Sequence, residues 1–231
     1  MIRRLLDFLD KSPVNFLAVK NIVGELELNG YHRIDPSMPL PELKAGDKLY
    51  VTKNDSSVYA FRIGRQPIAD KGFHMICAHS DSPTFRVKPN AEMLTEGGLV
   101  RLNTEVYGGP IMSTWMDRPL TLAGRVIVRR EDVMAPETML IHVKRPLLQI
   151  TNLAIHFNRQ VNDGVKLSKQ KDMLPLLGQI TNTLEAGNLL MNVILEELNK
   201  ERPVSKEDIL DFDLYLADAT PSCTDGVHNE M

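Results

Sequence analysis

The run Ala78-His79-Ser80-Asp81-Ser82-Pro83 holds the residues whose types and spacing most directly offer chemistry in this chain. In extended backbone, a histidine and an aspartate two apart point to the same side. His79 can give a ring nitrogen to a metal ion, and Asp81 can orient that imidazole or shape the field around it. The preceding residues Phe73-His74-Met75-Ile76-Cys77-Ala78 are short and apolar, and they read as a strand buried on both faces. At the carboxyl end of such a strand the pair would face the crevice in which α/β sheets bind ligands. The plainer alternative also stands: an H-x-D triplet is common, and most single histidines are structural or exposed.

A zinc site needs three or four ligands, and no local motif completes one here. His32, His74, His142, His156 and His228 form no H-E-x-x-H. His74 is expected to face away from His79. His142, in the alternating run M-L-I-H-V-K, reads as a strand residue facing solvent. His156, in L-A-I-H-F-N-R, suits a core, an interface or a substrate contact equally. Glu196-Glu197 reads as a solvated helix face. G-x-S-x-G is absent, so no serine nucleophile is proposed. Cys77 and Cys223 form no C-x-x-C pair, and Cys77 is expected to be buried.

The elements that must position these residues follow from periodicity. The first thirty residues read as helix, with Ser12-Pro13 as cap and first turn, an apolar stripe of Phe16, Val19, Val23 and Leu26, and Gly30 as the stop. Residues 31–47 read as loop. Residues 49–52 and 58–63 predict a hairpin around Asn54-Asp55-Ser56-Ser57. Strands are predicted over 99–106, 121–130 and 138–144, with Trp115 as a strand residue in a core or interface. A helix is predicted over 182–200, a capping signal at Ser205 and Asp208, and a returning strand from Asp211 to Leu216. The order suits an α/β domain with a β-rich block inserted into it.

Composition narrows the classes. The chain has 231 residues and a formal net charge of -3, so no bulk cationic field attracts nucleic acid or an anionic membrane. No window is apolar enough for a transmembrane helix, and the N-terminus lacks the apolar stretch of a signal peptide. A single Cys77–Cys223 disulfide has no positive sign in the sequence, and a reducing cytoplasm is the expected setting.

The candidate residues belong to a longer series of segments. In order these are K-S-P-V-N-F-L-A-V, I-C-A-H-S-D-S-P-T-F-R-V-K-P, V-Y-G-G-P-I-M-S-T-W-M-D-R-P-L-T-L-A-G-R-V, H-V-K-R-P-L-L-Q-I, L-A-I-H-F-N-R-Q-V-N and D-L-Y-L-A-D-A-T-P. The series resembles the aspartyl aminopeptidase family of binuclear zinc exopeptidases, and it spans nearly the whole chain. The resemblance implies an α/β fold: a partial zinc-peptidase domain interrupted by a β-rich dimerisation domain. On this chain the expected division is 1–86 for the first part of the peptidase domain, 87–210 for the β-rich dimerisation domain with its helix, and 211–231 for the return into the peptidase domain. It further implies a peptide substrate, release of N-terminal aspartate or glutamate, and a homo-oligomer through the β-rich domain. By match to the family motifs, His79 is a zinc ligand, Asp81 an active-site residue, and His156 a substrate contact reaching a partner subunit's active site. The family pattern continues with P-R-L-D, a Glu-Glu pair, an aspartate and a late histidine, none of which occurs here. Two zinc ions are expected in the complete site but not on this chain alone, which is expected to be inactive by itself. A non-catalytic assembly protein derived from the family is the alternative, and a small-molecule binding domain using the His79 pocket is a third reading.

Overall fold

The computed structural model describes residues 2–132, 134–180 and 188–230. They fall into two compact units, Met1–Asp81 and Ser82–Met231.

In the first unit, helix α1 (Ile2–Lys11) turns into α2 (Asn15–Leu28). The turn is pinned by Asn21, whose side-chain amide donates to the Lys11 carbonyl at 2.8 Å and to Ser12 Oγ at 3.0 Å. The helix starts after Val14, whose backbone is extended, so Ser12 serves the turn and not the expected cap. Gly30 does end the helix: at φ 79° it lets Tyr31 N–H reach the Leu26 carbonyl and its own N–H reach Glu27. That left-handed residue with a 6→1 and a 5→2 bond satisfies carbonyls that the helix leaves open.

A three-stranded sheet follows, made of β1 (His32–Arg33), β2 (Lys48–Lys53) and β3 (Ser57–Arg62) in that order. Strands β2 and β3 form the predicted hairpin; Asn54 and Asp55 both take φ 52°, the left-handed pair that matches strand twist. Tyr50 is buried, and its hydroxyl donates to Glu27 Oε1 on α2 at 2.5 Å. Burial, then this carboxylate, pushes the Tyr50 phenol above its ordinary value. A single turn, α3 (Ile68–Lys71), completes the unit's helices.

The segment 73–78 departs from expectation. It is not a buried strand: no strand is assigned there, and Phe73, Met75, Ile76 and Cys77 are all exposed, Ile76 fully. A doubly buried strand needs neighbours at both edges and cover on both faces. None of the described elements of this unit supplies them. Cys77 is therefore not the buried residue anticipated.

The second unit is built on a six-stranded antiparallel sheet. Its strands are β4 (Thr84–Leu94), β5 (Leu99–Tyr107), β6 (Leu120–Val128), β7 (Glu137–His142), β8 (Leu176–Gln179) and β9 (Ile209–Asp218), in the order β7-β6-β9-β4-β5-β8. Strand β4 escaped the sequence reading because Pro89 interrupts its pattern. The register against β5 slips between Val87 and Glu92, where a proline without an N–H is tolerated. Strand β9 pairs with β6 from Leu120↔Asp218 to Val128↔Ile209. The compact units divide after Asp81, and the 209–218 strand lies inside the six-stranded sheet.

Phe85, Leu102, Leu122, Ile150, Ile194, Leu214 and Leu216 form a shared core under this sheet. Helix α4 (Leu189–Leu198) buries Leu190, Ile194 and Leu198 against it. The predicted 182–187 part of that helix lies outside the described residues. Glu92 Oε1 accepts the Leu190 N–H at 2.8 Å, satisfying one open donor at the helix start. The capping box at Ser205 and Asp208 forms as its spacing predicts. At Gly124 the backbones of β6 and β9 approach so closely that a Cβ would stand 2.1 Å from the Asp213 carbonyl oxygen. Trp115 lies in a 3-10 turn, Met112–Trp115, not in a strand, and meets Phe85 edge-on at 5.3 Å.

Candidate metal centre

The residues after the exposed 73–78 segment are held by local polar contacts. Ser80 Oγ donates to the Ser56 carbonyl at 2.8 Å, tying the segment to the tip of the β2–β3 hairpin. Beside it, His79 Nδ1 lies 2.8 Å from the Asp81 carbonyl oxygen and 3.1 Å from Asp81 Oδ1. Both partners are acceptors, so Nδ1 carries the proton and donates. The lone pair of the neutral ring is then on Nε2, the arrangement found in metal-binding histidines fixed by an oxygen partner. The His79 side chain is 79% exposed, so its ring meets solvent and not the lining of a cleft.

One imidazole nitrogen with an orienting carboxylate suits zinc as a ligand and its supporting partner. It falls short of the three or four ligands a zinc ion takes. Among the described residues, no three or more His, Cys, Asp or Glu side chains stand close enough to enclose a metal ion.

His156 lies in the second unit, in an exposed turn closed by the Phe157 N–H on the Ala154 carbonyl at 2.8 Å. Leu153, Ile155 and Phe157 beside it are exposed as well. Sequence reasoning passed over the residue that sets the start of this loop. Asp117, at φ 58°, accepts the Asn152 N–H on Oδ1 at 2.9 Å, while its own N–H donates to the Ile150 carbonyl at 2.8 Å. The aspartate before Arg118-Pro119 was the available signal, since aspartate tolerates left-handed backbone and bonds nearby N–H groups.

His142 is not the solvent-facing residue its alternating run implied. It is half-buried at the end of β7, and Lys144 Nζ donates to its Nδ1 at 2.7 Å. Burial first, and the Lys144 charge second, push its pKa down to about 4. A neutral ring that accepts from a lysine serves the sheet and is not offered as a metal ligand.

The family described as "Aminopeptidase I zinc metalloprotease (M18)" matches residues 8–231. The chain belongs to the M18 family. A probable M18 family aminopeptidase 2 of Clostridium acetobutylicum is 47% identical over 229 residues, covering 99% of this chain and 52% of that protein. Structures of M18-like architecture agree. Ape4, solved in complex with Nbr1, superposes with TM-score 0.90 at 33% identity, covering 99% of this chain and 46% of that one. A dodecamer of mApe1 from S. cerevisiae superposes with TM-score 0.77 at 21% identity, covering 98% of this chain and 50% of that one, a likeness of fold. This M18 chain spans about half the length of the curated relatives it matches.

Proposed function

We propose that this chain carries the zinc-ligand histidine of an M18 aminopeptidase that releases N-terminal aspartate or glutamate from peptides, and that it is inactive alone. The observation that supports this reading is the His79–Asp81 pair. Its hydrogen bond fixes the tautomer that presents Nε2 to a cation, within the segment the resemblance assigns to a zinc ligand. Bound zinc would polarise a peptide carbonyl and sharpen a water nucleophile. Asp81 would hold the imidazole in place. His156, on its exposed turn, would contact substrate in a partner subunit. The inactivity follows from ligand number, since His79 supplies one donor where three or four are needed.

Residues 87–210, within the second unit, are the proposed dimerisation domain, and the mApe1 dodecamer supports a homo-oligomer as their setting. The reading as a non-catalytic assembly protein rests on the same unit, whose core closes within its own residues. Exposed thiols at Cys77 and Cys223 support a reducing, cytoplasmic compartment.

The test measures zinc content and release of p-nitroaniline from aspartyl- and glutamyl-p-nitroanilide. The 231-residue chain should retain no stoichiometric zinc and show no turnover. A chimera completed with the remaining length of the C. acetobutylicum relative should bind zinc and cleave. In it, His79→Ala should lower kcat/KM by roughly a thousandfold, as loss of a metal ligand demands. Turnover by the short chain, or an active His79→Ala chimera, would overturn the proposal. A completed chimera that oligomerises and neither binds zinc nor cleaves would favour the assembly reading.

A further inference from the structure

His79 and Asp81 follow a segment without regular structure. No strand is assigned over 73–78, so no ladder bonds fix that backbone, and ordering it costs conformational entropy. Ser80, between the two candidate residues, is half-buried, and its Oγ donates to the Ser56 carbonyl at 2.8 Å. In extended backbone the outer two residues of a triplet share a side and the middle one takes the other. Here the outer two bond each other, His79 Nδ1 to Asp81 Oδ1 at 3.1 Å, and the middle one bonds the hairpin.

The acceptor is itself fixed, and all of its support lies within the first unit. Ser56 sits in the loop between β2 and β3, beyond the last ladder pair, Lys53↔Ser57. Its N–H donates to the Lys53 carbonyl at 3.1 Å, and the Ser57 hydroxyl meets the same carbonyl at 3.4 Å. Below this turn, Leu49 and Tyr50 of β2 are buried, and Tyr50 bonds Glu27 of α2. The Ser56 carbonyl is thus presented by a packed hairpin.

We propose that Ser80 is a positioning residue. Its hydroxyl clamps the backbone between His79 and Asp81 to the hairpin, so that the imidazole stays bonded to Asp81 through Nδ1 and holds Nε2 ready for a cation. The use of Nε2 by a metal rests on the zinc-ligand reading above; the hold on the tautomer does not. Partners that orient a metal-bound histidine change metal affinity about ten- to a hundredfold. Ser80 acts one bond further out, with the net worth of a single neutral hydrogen bond, an effect of about three- to tenfold.

The test has two arms. In the metal-free 231-residue chain, proton–nitrogen correlation spectra of the His79 ring in mildly alkaline buffer read its two neutral tautomers. The wild type should hold mainly Nδ1–H. Ser80→Ala should lower the ratio of Nδ1–H to Nε2–H about three- to tenfold, and Ser80→Thr, which keeps the hydroxyl, should restore it to within about twofold. In the chimera completed from the C. acetobutylicum relative, competition against a zinc chelator should show the same loss of zinc affinity for Ser80→Ala and the same rescue by Ser80→Thr. An unchanged tautomer ratio in Ser80→Ala overturns the proposal. So do amide shift changes spread through α2 and β2, which mark a general structural role, and unchanged zinc affinity in a chimera whose zinc binding His79→Ala removes. A chimera that keeps its zinc after His79→Ala overturns the ligand reading instead, and the tautomer arm then decides the clamp alone.

Discussion

His142 makes the second unit sensitive to mild acid, and the size of the effect follows from its surroundings. In the unfolded chain the imidazole has its ordinary value of 6.5; in the fold, burial and then the Lys144 charge lower it to about 4. A depressed histidine opposes folding once the unfolded chain can bind a proton that the native state refuses. Stability is therefore complete above pH 6.5, falls as pH drops through that value, and levels off below about 4. At pH 5 the full linkage is about 2 kcal/mol, and partial solvent access brings the expectation to between about 1 and 2 kcal/mol. His142→Gln keeps an acceptor for Lys144 Nζ and removes the titration. Trp115 is the sole tryptophan and lies in the second unit, so its fluorescence in urea reads that unit alone. Between pH 7.5 and pH 5 the wild type should lose about 1–2 kcal/mol more than His142→Gln, a midpoint gap near 1 M urea. Glu137 and Asp208, whose carboxyls arginine and serine partners hold below their ordinary values, are present in both proteins and cancel. Parallel losses in the two proteins, or a wild type that gains stability on acidification, would refute the placement of the His142 ring.

Gly124→Ala should destabilise the second unit by about 3 kcal/mol or more in the same urea assay, because its methyl must displace the β9 backbone. A loss under about 1 kcal/mol would mean that β6 and β9 are not so closely apposed. Ile76→Lys should leave stability within about 0.5 kcal/mol and reduce binding of the apolar dye ANS, since the side chain is fully exposed. A marked stability loss would show that the 73–78 segment is packed in this chain.

Local signals were read well where one interaction range decides the outcome. The Asn54-Asp55 turn, the Gly30 helix stop and the Ser205–Asp208 box each depend on bonds within a few residues. Strands β5, β6 and β7 were legible because turns containing Gly97-Gly98, Gly108-Gly109-Pro110 and Pro136 separate them. The misses share a cause as well. Strand β4 carries Pro89, and only a register slip against β5 makes that tolerable. Val14, not Ser12, precedes α2 because the Ser12 side chain meets Asn21 instead.

The sequence by itself determined family membership, the Asn54-Asp55 turn, the Gly30 stop, the Ser205–Asp208 cap and the local pairing of His79 with Asp81, because each depends on residue types in sequence. Tertiary structure alone decided which apolar runs are covered. Phe73 to Ala78 has the composition of a buried strand yet lies exposed, whereas β9 reads no more strongly and occupies the middle of a six-stranded sheet. Burial is a property of what packs alongside a segment, and neither its composition nor its period contains that information.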